Sequence, residues 1–175
     1  TVGSGLWADI RAVDVVQNLG RFSFNPVLMG ERLPRVNLSM AGRHNMFNAM
    51  FALGLAHIAE VDLAGACDGI SSFAGVRRRF ELREGPAGGM LVNDYAHHPA
   101  EIEAVVGTAR RRFPGQRLLV VFQPHQYQRT LFLLDEFALA LAAADSVLVT
   151  EIYGARESDE IMASVSAGDL VNGVR

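Results

Sequence analysis

Three short, continuous apolar runs are the sequence feature that most constrains the fold. They lie at Met90 to Val92, Leu118 to Phe122 and Ser146 to Thr150. The segments between them, Pro99 to Arg112 and Thr130 to Ala143, have the composition of helices, and Pro99 suits a first helical position. Continuous apolar runs are typical of parallel strands that are covered on both faces. The order therefore predicts a βαβαβ arrangement in a doubly wound, mainly parallel α/β sheet.

The first half of the chain has a different pattern. Short apolar segments between Asp9 and Leu38 are broken by glycine, proline and asparagine, which predicts short, mainly antiparallel strands. The proline-free segment Asn45 to Ala59 is rich in Ala, Leu, Met and Phe, so we expect a helix that is apolar over most of its circumference and well buried. A second helix is predicted over Asp62 to Ser72, with Asp62 as its N-cap.

A polar, glycine-rich run, Glu84 to Gly89, separates these two patterns. We therefore predict two domains, 1–83 and 84–175. A hydrophobic content of 50% is enough for one ordinary core or two small ones.

The loops that follow the three apolar runs are polar. Residues 93–98, 123–129 and 151–157 contain three of the five histidines and all three tyrosines. Since ligands of open α/β sheets bind beyond the carboxyl ends of the strands, these loops predict a binding site.

Charge and composition narrow the function classes. A formal net charge of -3 gives no positive field that would hold a nucleic acid. Every basic residue is arginine, which excludes a Gly-x-x-x-x-Gly-Lys-Ser/Thr phosphate loop from this sequence. If the protein uses ATP, part of the ATP site lies elsewhere.

Location is indicated by features that the sequence lacks. No apolar run approaches the roughly 20 residues that span a bilayer, and residues 1–10 do not resemble a signal peptide. The single cysteine, Cys67, suits a reducing compartment. We expect a cytoplasmic protein without a membrane partner.

His97 and His98 precede the helix that starts at Pro99, where backbone N–H groups attract anions. His97 is predicted to face a ligand. For His98, a helix cap and a ligand contact are left as two open interpretations. A zinc site formed by His97, His98 and His125 is a third idea, but the spacing matches no common ligand pattern and predicts no fourth ligand.

Two arginine triplets stand out. Arg110 to Arg112 end a predicted helix, where cations complement the helix dipole. Arg77 to Arg79 lie next to the predicted domain boundary, where guanidinium groups suit phosphate binding; a solvated turn is equally plausible for Arg77. Asn45 and Asn48 share a helix face and can bind a purine edge or cap the helix.

Several segments together resemble the Mur ligase family in order and spacing: Gly42 to Ala49, Phe73 to Glu81 and Asp94 to Pro99. The run Val121 to Thr130 is similar to the family member that adds L-alanine. The resemblance implies the end of a central ATP-binding domain followed by an incomplete, Rossmann-like C-terminal domain.

The resemblance also implies a reaction. ATP phosphorylates the carboxylate of UDP-N-acetylmuramate, and the amino group of L-alanine attacks the resulting acyl phosphate. By resemblance, His97 and Arg129 are catalytic, and Tyr95, His97, His125 and Arg129 bind the substrate, with Arg129 pairing the L-alanine carboxylate. The implied nucleotide-binding residues are His44, Asn45, Asn48, Arg78, Arg79 and Asp94.

One position departs from the family pattern, since Gln126 stands where an arginine is common. By the same resemblance, the phosphate loop and the Mg²⁺ ligands would precede Thr1, so we expect no metal ligand in this chain and no activity from the chain alone. Two alternatives are a ligase that recycles murein tripeptide and a non-catalytic nucleotide-binding module, which Gln126 favours.

Overall fold

The computed structural model describes residues 1–3, 5, 7–85, 88–154 and 156–174. These residues form two compact units, Thr1–Asp94 and Tyr95–Arg175. The domain boundary predicted after residue 83 lies on the N-terminal side of this division and stays a prediction.

The first unit contains a five-stranded sheet. Its strands are β1 (Val2–Gly3), β2 (Ile10–Asn18), β3 (Arg21–Leu28), β4 (Glu31–Arg32) and β5 (Val36–Ala41). The central strand β3 pairs antiparallel with β2, β4 and β5, while β1 pairs parallel with β2. The prediction of short, mainly antiparallel strands is confirmed.

Two helices complete the core of this unit, α1 (Arg43–Ile58) and α2 (Leu63–Ser72). Asp62 is the N-cap of α2, as predicted, and its carboxylate accepts hydrogen bonds from the N–H groups of Ala64 and Gly65. The side chains that are almost completely buried come from the sheet and from both helices: Phe24, Val36, Met50, Leu53 and Cys67.

The prediction that α1 is buried over most of its circumference is wrong. Only one stripe of the helix is buried, formed by Met46, Ala49, Met50 and Leu53. Phe51, Leu55 and Ile58 are 56%, 67% and 79% exposed. The reason is geometric, because a helix that packs against one face of a sheet buries only residues spaced three and four apart. Composition alone does not reveal which faces of a helix find a partner.

A hairpin ends the first unit. Strands β6 (Glu81–Glu84) and β7 (Met90–Asn93) pair antiparallel, with Glu81 opposite Asn93. The backbone N–H of Gly85 donates to the carbonyl of Gly89, which brings the two strands back to each other. The first apolar run was predicted to be a strand of the parallel sheet, but its ladder partner is β6. That part of the βαβαβ prediction is corrected, because a nearby antiparallel partner satisfies its backbone groups.

The second unit contains the two other predicted strands, β8 (Leu119–Phe122) and β9 (Ser146–Val149), which pair parallel as expected. Its helices are α3 (Pro99–Arg112), α4 (Tyr127–Phe132), α5 (Leu134–Leu141), α6 (Asp159–Met162) and α7 (Ala167–Gly173). The predicted α/β class is confirmed. No helix in the described ranges is both long enough and apolar enough to cross a membrane.

The single helix predicted over Thr130 to Ala143 is replaced by two. Leu133, with φ -118° and ψ 26°, leaves the helical region between α4 and α5. Its N–H still donates to the carbonyl of Arg129, so the chain changes direction without losing that hydrogen bond. Helix propensity is high on both sides of Leu133, which is why sequence reasoning did not detect the break.

The core of the second unit joins α3, α5 and α7 to the parallel strands. The rings of Phe122 and Phe137 lie 5.4 Å apart, and both are buried together with Ile102, Val106, Leu141 and Leu170. At the C-terminus of α3, the guanidinium of Arg110 forms an ion pair with Asp145 at 2.8 Å and donates to the carbonyl of Ala143. One member of the second arginine triplet is thus structural.

We expect the Asp62→Ala substitution to lower the free energy of unfolding by about 0.5–2 kcal/mol, because α2 loses its N-cap. Urea denaturation of the protein would measure this. Asp62→Ser, which keeps an acceptor, should retain most of the stability. Asp68→Ala, an exposed change inside α2, is the matched control. Equal losses for Asp62→Ala and Asp68→Ala would contradict the capping role.

Candidate functional site

In the first unit, two carboxylates hold the loop that carries the first arginine triplet. Phe80 and Arg78 have positive φ angles of 49° and 58°, an uncommon backbone conformation for residues other than glycine. The N–H of Phe80 donates to the Asp94 carboxylate at 2.7 Å, and the N–H of Arg78 donates to Glu81 at 3.0 Å. The side chains of Arg78 and Arg79 are left exposed at the surface.

Glu81 is stabilised as an anion. The hydrogen bond from the Arg78 N–H, followed by that from the Arg83 guanidinium, lowers the pKa of the Glu81 carboxyl below its usual value. Arg83 donates to Glu81 Oε1 at 2.7 Å. The carboxylate that anchors the loop is therefore charged at neutral pH.

His44 is the histidine of this cluster. Its ring lies over Gly42, where an added Cβ would be only 2.5 Å from His44 Cε1. Gly42 also has φ 106°, so glycine is required there both by backbone conformation and by the close approach of the ring. The His44 ring therefore packs against the backbone at the start of α1.

The charge state of His44 follows from its surroundings. Burial of the imidazole lowers its pKa; Asp94 raises it through its negative charge, and Arg79 lowers it through its positive charge. Although the residue as a whole is exposed, the ring is partly desolvated by the Gly42 backbone that it covers. Structure therefore brings together three of the residues predicted to bind the nucleotide: His44, Arg79 and Asp94.

The two asparagines of α1 differ in environment. Asn45 is half-buried, and its Nδ2 donates to the carbonyl of Ala41 at 2.7 Å. Asn48 is exposed, and its Nδ2 lies 3.4 Å from Asn45 Oδ1. The N-cap position of α1 is occupied by Gly42, so neither asparagine is the N-cap residue. The amide of Asn48 is the more accessible of the two.

In the second unit, Glu101 organises the histidine loop. One oxygen of its carboxylate accepts hydrogen bonds from the N–H groups of His97 at 2.9 Å and His98 at 3.2 Å. His98 occupies the N-cap position of α3, as the capping interpretation requires, with Pro99 at the first helical position. The His97 side chain is half-buried beside this helix start.

The tautomer of His97 can be inferred from its partners. Nδ1 lies 3.0 Å from the carbonyl oxygen of Tyr95 and 3.5 Å from the Glu101 carboxylate. Both partners are acceptors, so in the neutral ring Nδ1 carries the hydrogen and Nε2 keeps a lone pair. The ring also contacts Tyr95 edge to face, with centroids 5.3 Å apart. His97 thus presents an oriented acceptor nitrogen.

Arg129 lies near this histidine loop. Its Nη1 is 3.5 Å from the carbonyl oxygen of His97, a long hydrogen bond. The side chain is half-buried, which strengthens its interaction with an anion relative to an exposed arginine. The structure therefore brings together Tyr95, His97 and Arg129, which the sequence predicted to share one site.

His125 stacks on Tyr153, which lies in the third predicted loop but was not among the individually predicted site residues. Its ring lies 5.0 Å from that of Tyr153, and the two backbones form a parallel bridge beyond β8 and β9. The bridge extends the strand pairing by a few residues, so the loops after both strands leave from neighbouring points. The position of Tyr153 in the loop after the third apolar run was the available signal.

Glu157 ends the third predicted loop, residues 151–157, but was not among the individually predicted site residues. Its two carboxylate oxygens accept hydrogen bonds from the N–H groups of Tyr127 and Gln128, each at 2.8 Å. Gln126, the departure from the family pattern, has φ 74° and precedes these residues as the N-cap of α4. No sequence motif indicates a contact that spans thirty residues.

The described residues contain no group of three or more His, Cys, Asp or Glu side chains that could hold a metal ion. That statement covers His97, His98 and His125, the trio considered for zinc. The cations of both clusters are arginines, and the hydrogen-bond acceptors are carboxylates and backbone carbonyls.

Comparison with known proteins places these residues in context. Residues 78–174 match the family described as Mur ligase, glutamate ligase domain. The chain is 42% identical over 159 residues to the UDP-N-acetylmuramate--L-alanine ligase of Salinibacter ruber, covering 90% of this chain and 33% of that protein.

Two solved structures are similar in sequence and fold. The UDP-N-acetylmuramate-alanine ligase MurC of Thermotoga maritima superposes with a TM-score of 0.75 at 27% identity, over 99% of this chain and 37% of that one. A murein peptide ligase of Psychrobacter arcticus gives a TM-score of 0.64 at 27% identity, over 85% and 31%. The chain spans about a third of the length of these relatives.

The lowered pKa of His44 predicts a pH effect on stability. An unfolded histidine titrates near ~6.5, so as the pH falls through that value the unfolded state takes up the proton first and the folded state loses stability. We expect the free energy of unfolding to fall less steeply toward acid pH in His44→Gln than in the wild type. Urea denaturation over about pH 7.5 to 5 measures this difference.

The exposed histidine His57, near the end of the same helix, provides the matched control His57→Gln. Identical pH dependence of His44→Gln and the wild type would show that His44 is not desolvated in the folded protein.

Proposed function

The chain belongs to the Mur ligase family, and we propose that it is part of an ATP-dependent ligase that joins L-alanine to UDP-N-acetylmuramate in peptidoglycan precursor synthesis. The names of the Salinibacter and Thermotoga relatives support this substrate pair. In the proposed reaction an acyl phosphate of the muramate is attacked by the amino group of L-alanine, and ADP and phosphate are released. The chain provides part of the machinery.

The observation that carries this proposal is the proximity of His97 and Arg129. Arg129 offers a guanidinium fork suited to a carboxylate, and its Nη1 lies 3.5 Å from the backbone carbonyl of His97, whose ring has Nε2 as its acceptor nitrogen. An amino acid has a carboxylate and an ammonium group attached to one carbon. The Arg129 guanidinium and the His97 imidazole are proposed to bind these two groups.

Chemistry assigns a role to each group. The Arg129 guanidinium binds the carboxylate of L-alanine and orients the molecule. Nε2 of His97 accepts a hydrogen bond from the amino group, and it can take the proton that the amine must lose to become a nucleophile. Tyr95 packs against the imidazole and limits its rotation. His125 borders the same loops and contacts the substrate in this proposal.

The cluster in the first unit is proposed to bind the nucleotide, which supplies the phosphoryl group. Arg78 and Arg79 are exposed cations on a loop held by carboxylates, an arrangement that suits phosphate oxygens. The Asp94 carboxylate lies beside this loop and is proposed to accept a hydrogen bond from a ribose hydroxyl of the nucleotide. His44, neutral near pH 7, borders the base without adding charge.

The asparagine amides complete the proposed nucleotide site. Asn48 is exposed and can bind a purine edge. Asn45 supports it through the contact between the two side chains. The described residues hold no cluster of three or more His, Cys, Asp or Glu side chains suited to Mg²⁺.

The remaining assignments follow from the same proposal. Residues 1–83 would belong to the central ATP-binding domain and 84–175 to the domain that binds the amino acid. UDP-N-acetylmuramate, L-alanine and ATP are the proposed partners, and the cytoplasm is the proposed location.

A second candidate is a ligase that adds murein tripeptide instead of L-alanine. The similarity to the Psychrobacter murein peptide ligase supports this second candidate, because the sequence identity of the chain to that ligase, 27%, equals its identity to the Thermotoga enzyme. A non-catalytic nucleotide-binding module is weaker, because such a module would need neither Arg129 nor an oriented His97.

Substrate choice is tested directly with the full-length protein. We expect phosphate release in the presence of ATP and UDP-N-acetylmuramate when L-alanine is added, and little release with the tripeptide. L-alanine has its amino group and its carboxylate on one carbon, whereas the carbon that bears the N-terminal amine of a tripeptide bears an amide, which Arg129 would not bind as a carboxylate. Release with tripeptide alone would support the recycling ligase, and release with neither acceptor would support the non-catalytic module.

Arg129→Ala in the full-length enzyme should weaken L-alanine binding and leave ATP binding nearly unchanged, because the two ligands are assigned to different clusters. The loss should be about 2–5 kcal/mol if the ion pair is desolvated, and below ~1 kcal/mol if it stays exposed. Steady-state kinetics with each substrate varied in turn would measure the effect.

Arg117→Ala is the matched control, since Arg117 is exposed and precedes β8, whereas Arg129 follows that strand. An unchanged Michaelis constant for L-alanine in Arg129→Ala would remove this residue from the site.

A further inference from the structure

We propose that Glu157 is a positioning residue for the amino-acid site, acting through the start of α4 on Arg129. This proposal rests on the proposed function, in which Arg129 binds the substrate carboxylate. Glu157 itself is assigned no contact with the substrate. Its role is to fix the backbone from which Arg129 extends.

The contact is matched at both ends. Tyr127 and Gln128 present two backbone N–H donors, and the Glu157 carboxylate accepts one with each oxygen, both at 2.8 Å. Arg129 is the next residue in the chain. A displacement of Tyr127 and Gln128 therefore moves the guanidinium away from the carbonyl of His97, from which it is 3.5 Å distant.

Two backbone hydrogen bonds join the same two segments, and a third hydrogen bond holds the start of α4. The N–H of Gln126 donates to the carbonyl of Tyr153, and the N–H of Tyr153 donates to the carbonyl of Pro124, both at 2.8 Å. The hydroxyl of Thr130, which is fully buried, donates to the carbonyl of Gln126 at 2.9 Å. Backbone hydrogen bonds hold residues 124 and 126, whereas the N–H groups of residues 127 and 128 donate to the Glu157 side chain.

The positive φ of Gln126 explains why a side-chain anchor is needed. A non-glycine residue at φ 74° is strained and persists only when its surroundings hold it there. Tyr127 and Gln128 are the first two residues of α4, so their N–H groups have no acceptor within the helix, and the Glu157 carboxylate accepts both. A charged acceptor makes stronger hydrogen bonds to backbone N–H groups than a neutral one.

Packing around Gly154 supports the same arrangement. A Cβ built on Gly154 would lie 3.1 Å from the Tyr127 ring and 3.3 Å from the sulfur of Met162. The absence of a side chain at this position allows Tyr127 to pack closely against the loop that also carries Glu157. The loop after β9 and the start of α4 are thus fitted to each other.

Glu157→Gln in the full-length enzyme tests the proposal. Glutamine keeps one acceptor oxygen but directs an NH2 donor at the second backbone N–H, so one contact is lost and a donor faces a donor. We expect the Michaelis constant for L-alanine to rise roughly tenfold, as expected for loss of one charge-assisted hydrogen bond, while that for ATP stays unchanged. Glu157→Asp keeps both acceptor oxygens on a shorter side chain. Its Michaelis constant for L-alanine should lie between those of the wild type and Glu157→Gln.

Glu160→Gln is the matched control, because Glu160 is exposed in the first turn of α6 three residues away, and it should behave as the wild type. A merely structural role for Glu157 would reduce the amount of active enzyme and hence kcat, with both Michaelis constants unchanged. That result would overturn the proposal.

A decrease in the Michaelis constant for L-alanine would also overturn it. Such a result would mean that the Glu157 carboxylate competes with the substrate carboxylate for the Tyr127 and Gln128 amides. The direction of the change therefore distinguishes anchoring from competition.

Failure of the proposed function has a different signature. If the wild-type enzyme releases phosphate with tripeptide and not with L-alanine, the same comparison is made with tripeptide. Amide hydrogen exchange provides a measure that needs no activity: the amide of Tyr127 or Gln128 that loses its acceptor should exchange roughly tenfold faster in Glu157→Gln than in the wild type. Unchanged exchange would remove the anchoring contact, whatever the enzyme's substrate.

Discussion

Parallel pairing of Leu119–Phe122 with Ser146–Val149 places the functional loops of the second unit side by side. In a parallel pair both strands end at the same edge, so the loops that follow them start as neighbours. The bridge between His125 and Tyr153 continues this alignment beyond the strands. Residues of the loop after β8 therefore contact residues of the loop after β9, although the two loops are far apart in sequence.

Carboxylates hold the loops of both units in a recurrent way. Asp94, Glu81, Glu101, Glu157 and Asp145 each accept a hydrogen bond from at least one backbone N–H. In the first four cases the anchored loop carries a predicted site residue. Carboxylate acceptors form strong hydrogen bonds to backbone amides and can replace the ladder partners that a loop lacks. These acidic residues position the backbone, while Arg78 and Arg79 stay exposed.

Arginine supplies every side-chain cation of this lysine-free chain. Its planar guanidinium favours two-pronged contacts with carboxylates and phosphates, and it keeps its charge when partly buried. Gln126, by contrast, contributes through its backbone. With φ 74° it is the N-cap of α4, and its carbonyl accepts a hydrogen bond from the Thr130 hydroxyl. The structural contacts of this position are made by its backbone, so they do not depend on the Gln126 side chain.

The sequence by itself determined the α/β class, the antiparallel first half, the start of α3 at Pro99 and the cap at Asp62, because these depend on local periodicity and capping. It also marked His97 and Arg129 for one site through motif resemblance. Tertiary structure decided that Met90–Asn93 pairs with Glu81–Glu84, that α1 leaves Leu55 exposed, and that Glu157 holds the start of α4. These outcomes depend on contacts between distant segments and on which surfaces meet, and no local pattern of residues encodes either.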